Sequence, residues 1–414
     1  MIMANNNENK ILNVPNLRFP EFTGEWKEER LDEIATLSKG VGISKEQLSN
    51  DGEPCILYGE LYTKYKSEII KEVDSRTNID NSKLKRSKAN DVIIPCSGET
   101  EVDIATARCV PFDNILLGGD LNIISLYQYD GAFMSYQLNG KRKYDIAKVA
   151  QGVSVVHLYG EHLKAISTYN PCLQEQQKIA KLLSLLDERI ATQNKIIEKL
   201  QSLIKGLVDS LLENPSWEKV SLRSFMQFYS TNSLSWEQLS YSNGNVRNLH
   251  YGLIHGFQTS MIDSTHLPRI LPNYLPKQYT VCQDGDVAFA DASEDTNEIG
   301  KAIEFSNTID VKTVCGLHTI HGRDIKQNTI LGFKGFAFNS RYFHDQVRRL
   351  AQGTKVYSIT AKNLSSCYVY IPDMIKQENV VRLLNAYEEN LSLNRTLLNK
   401  YEIQKQYLLQ QMLI

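Results

Sequence analysis

The stretch Ala150-Gln151-Gly152-Val153-Ser154-Val155 returns 201 positions later as Ala351-Gln352-Gly353-Thr354-Lys355-Val356. An echo of such long period constrains the fold more than any single motif, because a duplicated chain must build the same unit twice. The echo extends in order. At the same offset His162-Leu163 meets Asn363-Leu364, Pro171 meets Pro372, and Asp187-Glu188 meets Glu388-Glu389. Upstream the offset shrinks, as it does where loops differ in length. Asp91-Val92 meets Asp286-Val287, and Glu99, Ile104 and Ala107 meet Glu294, Ile299 and Ala302. Tyr58-Gly59 then falls on Tyr251-Gly252, and Trp26-Lys27-Glu28 before Leu31 falls on Trp217-Glu218-Lys219 before Leu222. The chain reads as a tandem duplication.

Each copy ends in a long helical pattern. From Gln174 to Leu212 there is no proline and a single glycine, Gly206. Apolar residues fall at Ile179, Leu183, Leu186, Ile190, Ile197, Leu200, Ile204, Leu207 and Leu211, with Gln193 as the polar member of the series. Spacings alternating four and three define a heptad seam. The equivalent positions of the second copy are Val380, Leu384, Tyr387, Leu391, Asn394, Leu398, Tyr401, Lys405, Leu408 and Met412, so the polar interruption recurs at Asn394. A polar seam residue costs stability but fixes alignment between partner helices. Helix pairing is therefore expected through Ile179, Leu183, Leu186, Ile190, Gln193, Ile197 and Leu200 against Val380, Leu384, Tyr387, Leu391, Asn394 and Leu398. The blander alternative is that each helix packs only on its own domain. At 1.5 Å per residue a helix of about 39 residues would run roughly 58 Å. Two of them separated by a globular segment pair most simply antiparallel, which relates the halves by a pseudo-two-fold axis. Duplex DNA presents that symmetry in its inverted half-sites.

The globular segments carry short β-rich runs such as Asp91–Gly98 and Asp286–Asp291, bounded by Gly, Asn, Asp and Pro, with one or two helices expected in each. The predicted organisation is an α+β chain with an N-terminal arm over 1–25, a first domain over 26–173, a helix over 174–213, a second domain over 214–372 and a helix over 373–414. Composition suits a soluble globular protein, at 42% hydrophobic and 23% charged. No secretory leader or membrane span is expected, and the expected location is therefore cytoplasmic. Seven cysteines without a CxxC pair read as reduced thiols, with neither a disulfide framework nor a zinc site.

A formal net charge of -2 mildly opposes nucleic-acid binding. Three basic stretches argue the other way: Lys83, Lys85, Arg86 and Lys88; Lys141, Arg142, Lys143 and Lys148; Arg341, Arg348, Arg349 and Lys355. The last two lead into the duplicated glycine element. Cations there suit phosphates, while Gln151, Ser154, Gln352 and Thr354 beside the turn suit base edges. A charge run is more often a solvated face, and only its repetition argues otherwise. Glu99, Glu101 and Asp103, echoed by Glu294, Asp295 and Glu298, suit a polar loop better than a metal site. One such carboxylate could accept from cytosine N4. No metal and no catalytic residue is expected in this chain: it lacks an element to hold a flipped adenine, and it lacks a glycine-rich nucleotide loop. Asn170-Pro171-Cys172 and Glu25-Trp26-Lys27 are the nearest fragments, and neither is complete.

The segments from Pro15 to Ala35, Ile56 to Tyr62, Asp91 to Glu99 and Asn170 to Ile190 together resemble a type I restriction–modification specificity subunit, and the resemblance spans essentially the whole chain. Its most specific part is Pro171, Glu175, Gln176 and Ile179. The second copy departs from it, with Lys376 in place of Glu175, so a contact made by that glutamate is expected on one side only. The resemblance implies two target-recognition domains reading the halves of a split double-stranded DNA sequence, with the helices as a spacer. It implies docking of two methyltransferase subunits and of restriction motor subunits, in a bacterial cytoplasm. S-adenosylmethionine, ATP and Mg would belong to those partners, and this chain would hold no cofactor. Partner subunits that share the phosphate contacts also relieve the charge objection. The rival readings are a non-DNA-binding scaffold or adaptor and a cryptic nuclease or methyltransferase.

Overall fold

The computed structural model describes residues 12–80, 82–257 and 259–414. The expected N-terminal arm is thus described from Leu12 onward, and residues 1–11 lie outside the described residues. The chain divides into two compact units: Met1–Asn194 with Thr396–Ile414, and Lys195–Arg395. Both are α+β, and the same pairings recur in the same register.

In the first unit the strand Lys27–Arg30 runs antiparallel to Ser167–Asn170, with Lys27 opposite Asn170. In the second, Glu218–Ser221 runs antiparallel to Tyr368–Ile371, with Glu218 opposite Ile371. The central hairpin partners repeat as Ile93 opposite Ile123 and Ala288 opposite His321. A parallel pair repeats as Ile56 beside Leu117 and Leu249 beside Cys315. A shared register preserves which side chains face the core, because a slip of one residue would turn every side chain over. Side-chain clamps repeat as well. Asn139 binds both backbone groups of Ala107, at 2.7 and 2.9 Å, and Asn339 does the same to Ala302, at 3.0 and 2.7 Å.

The long helices run Leu173–Leu212 and Met374–Met412. Each starts shortly after a proline, whose missing N–H leaves no donor unsatisfied there. Gln176 fastens the first start: its Nε2 donates to the Pro171 carbonyl at 2.8 Å, and its Oε1 accepts from the Asp130 N–H at 2.9 Å. Gln377 repeats this with Pro372 and Ile330, both at 3.0 Å. Glu175 and Lys376 part company, as expected. Glu175 is buried and takes a bidentate grip from Arg18 of the N-terminal arm, both contacts at 2.7 Å. Lys376 is exposed and pairs with Asp373 at 2.8 Å.

Every predicted seam residue is buried or half-buried, whereas Leu185, Ile196, Leu203 and Leu393 off the seam are exposed. Within the first unit Ile179, Ala180 and Leu183 share a cluster with Trp26, Phe133, Tyr136, Met412 and Leu413. Further along, Asp187 meets Lys405 at 2.7 Å, so these helix segments run antiparallel. In the second unit Val208 and Leu212 share a core with Val380, Leu384, Phe225, Phe289, Phe333 and Phe343. The unit boundaries fall inside the helices, after Asn194 and after Arg395, rather than at the helix starts where the sequence suggests them. The reason is packing: aromatic side chains of each unit cover both helix segments, so the helix ends are core and not free-standing spacer. Among the described residues no helix is long and apolar enough to cross a membrane.

Candidate nucleic-acid interface

The duplicated glycine element forms the same tight loop twice. Gln151 and His157 exchange backbone hydrogen bonds at 2.9 and 2.7 Å, and Gln352 and Ser358 do so at 2.9 and 2.8 Å. Between them Gly152 has φ 138° and Gly353 has φ 132°. A Cβ on either would run into the carbonyl of Val155 or Val356, so only glycine closes the turn. The tips stand clear of the protein: Val153 is 98% exposed, and Gln151, Ser154, Gln352, Thr354 and Lys355 are all exposed.

A second loop lies beside each tip. The strand Ser97–Gly98 pairs with Val156–His157, and Ala292–Ser293 pairs with Tyr357–Ser358. The acidic runs follow directly, so both duplicated polar elements share one surface in each unit. Several of these acids are committed to local turns. Thr100 caps the turn Glu101–Ile104 by accepting from the Asp103 N–H at 3.0 Å, and its hydroxyl donates to the Asp103 carboxylate at 2.7 Å. Asp295 accepts from the Asn297 N–H at 2.8 Å. Glu298 pairs with His255 and Lys301; the His255 hydrogen bond first, and then Lys301, hold its carboxyl below the ordinary range against the opposing effect of burial. Glu99, Glu101 and Glu294 are exposed.

The basic candidates separate into engaged and available groups. Arg142 is engaged: it pairs with Asp145 at 3.2 Å, donates to the Ile414 carbonyl at 3.2 Å and lies over the Tyr169 ring. Arg86 pairs with Glu53 at 2.5 Å in the short strand Lys85–Arg86. Arg348 reaches Asp345 at 3.4 Å and Lys148 reaches Asp145 at 3.6 Å; these pairs are exposed enough to be worth little. Lys83, Lys141, Arg341 and Arg349 are exposed, and Lys85 and Lys143 are half-buried. The helices Lys143–Val149 and Arg341–Leu350 deliver the second and third basic stretches to the glycine loops. Lys85 and Arg86 belong to a separate five-stranded sheet of the first unit, and Lys83 to the turn before it.

Sequence reasoning missed the aromatic and imidazole groups that flank the loops. In the first unit His157 contacts Ser97 Oγ at 3.2 Å, and Lys39 lies over the exposed Tyr159 ring. In the second, Trp236, His250 and Tyr251 stack with centroids 4.5 and 4.7 Å apart, and His318 meets Tyr251 edge-on at 5.2 Å. Burial, followed by the neighbouring His318, pushes His250 below its ordinary range, so it is neutral. Trp236 is 44% exposed and offers a π-face to solvent. The repeat of Tyr58-Gly59 at Tyr251-Gly252 was the available signal for this region.

The chain thus carries one polar loop surface twice, on one repeated α+β scaffold. Residues 23–202 match the type I restriction modification DNA specificity domain. Over that segment the chain is similar to type I restriction–modification specificity subunits. It is 23% identical to the type I restriction enzyme MjaVIII specificity subunit of Methanocaldococcus jannaschii over 98% of this chain and 95% of that one. Its fold is that of the S subunit of a type I system from M. genitalium, with TM-score 0.62, 16% identity and coverage of 97% and 99% of the two chains. A second likeness, with TM-score 0.56, 14% identity and coverage of 93% and 96%, is to a chain from a study of complex assembly and conformational transition of the type I system.

Proposed function

We propose that this chain is the non-catalytic specificity subunit of a type I restriction–modification complex and reads a bipartite double-stranded DNA target. The first unit reads one half-site with the loops around Ser97–Asp103 and Gln151–His157. The second reads the other with Ala292–Glu298 and Gln352–Ser358. Polar tips in each pair reach base edges, while Lys141, Lys148, Arg348, Arg349 and Lys355 neutralise phosphates. The bases between the half-sites go unread. Two methyltransferase subunits with S-adenosylmethionine, and restriction subunits with ATP and Mg, supply the chemistry, with the target adenine flipped into the partner.

The observation that carries this reading is the repetition: the same glycine-closed loop sits beside the same second loop in both units. A fold alone needs no exposed polar tip twice. The test is methylome sequencing of a host that expresses this chain with its methyltransferase partner, beside the variant Thr354→Ala/Lys355→Ala. The wild type should give one split motif, and the variant should relax or lose one half while the other stays unchanged. Methylation without a split motif, or equal loss in both halves, overturns the assignment of one unit to one half-site.

A further inference from the structure

The second unit contains a buried cluster that the DNA reading does not use. Cys282, Cys315 and His321 are all buried, and their sulfurs and a His321 ring nitrogen lie within 4.8 Å of one another. The two Sγ atoms are 3.7 Å apart. Two thiolates in a tetrahedral zinc shell, each at ~2.3 Å from the ion, stand ~3.8 Å apart. The three residues come from positions far apart in sequence, so no spacing motif announces them.

The imidazole strengthens the case. His321 Nε2 is 2.7 Å from Asp286 Oδ2. Arg323 donates to both oxygens of the same carboxylate, from Nε to Oδ1 at 2.8 Å and from a terminal N–H to Oδ2 at 2.7 Å, so Asp286 is the acceptor in the pair with His321. Nε2 therefore carries the proton and Nδ1 is left as a bare lone pair. Nδ1 is buried with no hydrogen-bond partner. An unsatisfied buried acceptor is costly and calls for an explanation. A carboxylate fixing one nitrogen while the other is free for a metal is the arrangement found around zinc-bound histidine.

The first unit supplies an internal control. Register places Ser87, Leu117 and Ile123 where the second unit has Cys282, Cys315 and His321. The acid is common to both: Asp91 accepts from the Lys88 N–H and Asp286 from the Gln283 N–H, at 2.8 and 2.9 Å. One copy of the scaffold thus folds with no metal-ligating side chain at these three positions. Packing does not require two cysteines and a histidine in the other.

We infer that Cys282, Cys315 and His321 form a zinc site of the second unit, with Asp286 and Arg323 orienting the histidine. No fourth His, Cys, Asp or Glu joins the group among the described residues, so a water completes the shell. Binding deprotonates both thiols, releases two protons and couples the ion to folding of this unit. The site lies apart from the glycine loops, so its failure would leave the DNA reading standing.

The test uses the full chain, purified without chelator. Elemental analysis should find about one zinc per chain. After chelation, Co²⁺ should restore a thiolate charge-transfer band at one equivalent. The variant Cys282→Ser/Cys315→Leu/His321→Ile, which copies the first unit, should lose both signals. Zinc should also slow alkylation of Cys282 and Cys315 in the native protein, a readout that survives if the variant does not fold. Absence of any Co²⁺ band and of metal protection in the wild type overturns the site. So does recovery of Cys282 and Cys315 as a disulfide.

Discussion

The two units handle the same acidic position on their long helices in opposite ways. In the first, Asp187 accepts from Tyr136 Oη at 2.6 Å and from Ser67 Oγ at 3.2 Å, and pairs with Lys405 at 2.7 Å. Lys405 also pairs with the buried Glu68 at 2.6 Å. In the second, Glu388 accepts from Ser260 Oγ at 3.1 Å and from the Ser260 N–H at 3.0 Å. The serine contact has survived the duplication and the lysine has not: Ile204 holds the position equivalent to Lys405. Where the first unit is filled by a charge network, the second has an open cleft of about 850 Å³ lined by Glu388, Ile204, Lys205, Asp209, Arg341 and Arg395. The difference teaches that the scaffold specifies an acid–serine clasp, while compensation of the charge is left to each copy.

The sharpest way to break this contrast is Lys405→Met. Burial disfavours the Lys405 cation, but Glu68 and Asp187 outweigh it and raise its pKa, so the ammonium is fixed in place. Removing it leaves two buried carboxylates with no cation between them. The expected loss is about 4 kcal/mol in the first unit, because an orphaned buried charge costs far more than the pair contributes. Urea unfolding followed through Trp26, whose side chain packs near this network, should show the shift; an unchanged midpoint would mean that solvent already screens the cluster.

The second expected effect lies in the other unit and is read by pH. Burial pushes the Glu388 carboxyl from 4.5 up to about 7 despite the two Ser260 hydrogen bonds. The folded unit then binds a proton more tightly than the unfolded chain does. That stability is fully present below pH 4.5 and is lost as pH rises through about 7, a change of about 3 kcal/mol at 1.36 kcal/mol per pKa unit. Glu388→Gln should flatten this slope. Ile204→Lys, which copies the first unit's lysine, should shift the slope to lower pH. A stability profile of the wild type that is flat from pH 4.5 to 8 would refute the assignment to Glu388.

The duplication and the two long helices were legible because both depend on periodicity, and periodicity needs no three-dimensional knowledge. The helix ends were read less well, since nothing in the heptad pattern reveals that Phe133 and Tyr136, or Phe225 and Phe333, cover the terminal turns. At the candidate interface the glycines and the acidic runs were each visible as repeats, but their adjacency was not: Gly98 and Val156 are brought together only by a two-residue strand pairing. Arg142 shows the limit of reading charge from sequence. It stands in a basic run, yet its partners Asp145, Tyr169 and the Ile414 carbonyl are assembled by the fold. In the sequence Lys405 reads as one more seam position, and its role appears only with Glu68 and Asp187 beside it.

The smallest effect returns to the helix starts, where Glu175 and Lys376 are the unmatched pair. Glu175 is 1% exposed in its side chain and ties down Arg18, which also donates to the Gly24 carbonyl at 2.6 Å. Its hydrogen bond to Glu175, less burial, keeps the Arg18 guanidinium above its ordinary range. Glu175→Lys copies the second helix onto the first and sets two cations against each other. It should cost about 2 kcal/mol, within the range for loss of a charge-assisted bond plus like-charge repulsion. Most of that cost is local to the arm, so limited trypsin cleavage at Arg18 should speed up while the denaturation midpoint of the second unit stays fixed. The reverse change, Lys376→Glu, should be nearly neutral, since Lys376 is exposed and pairs with the exposed Asp373. Equal effects of the two substitutions would mean that the arm contributes nothing to the asymmetry, and that both starts are held by Gln176 and Gln377 alone.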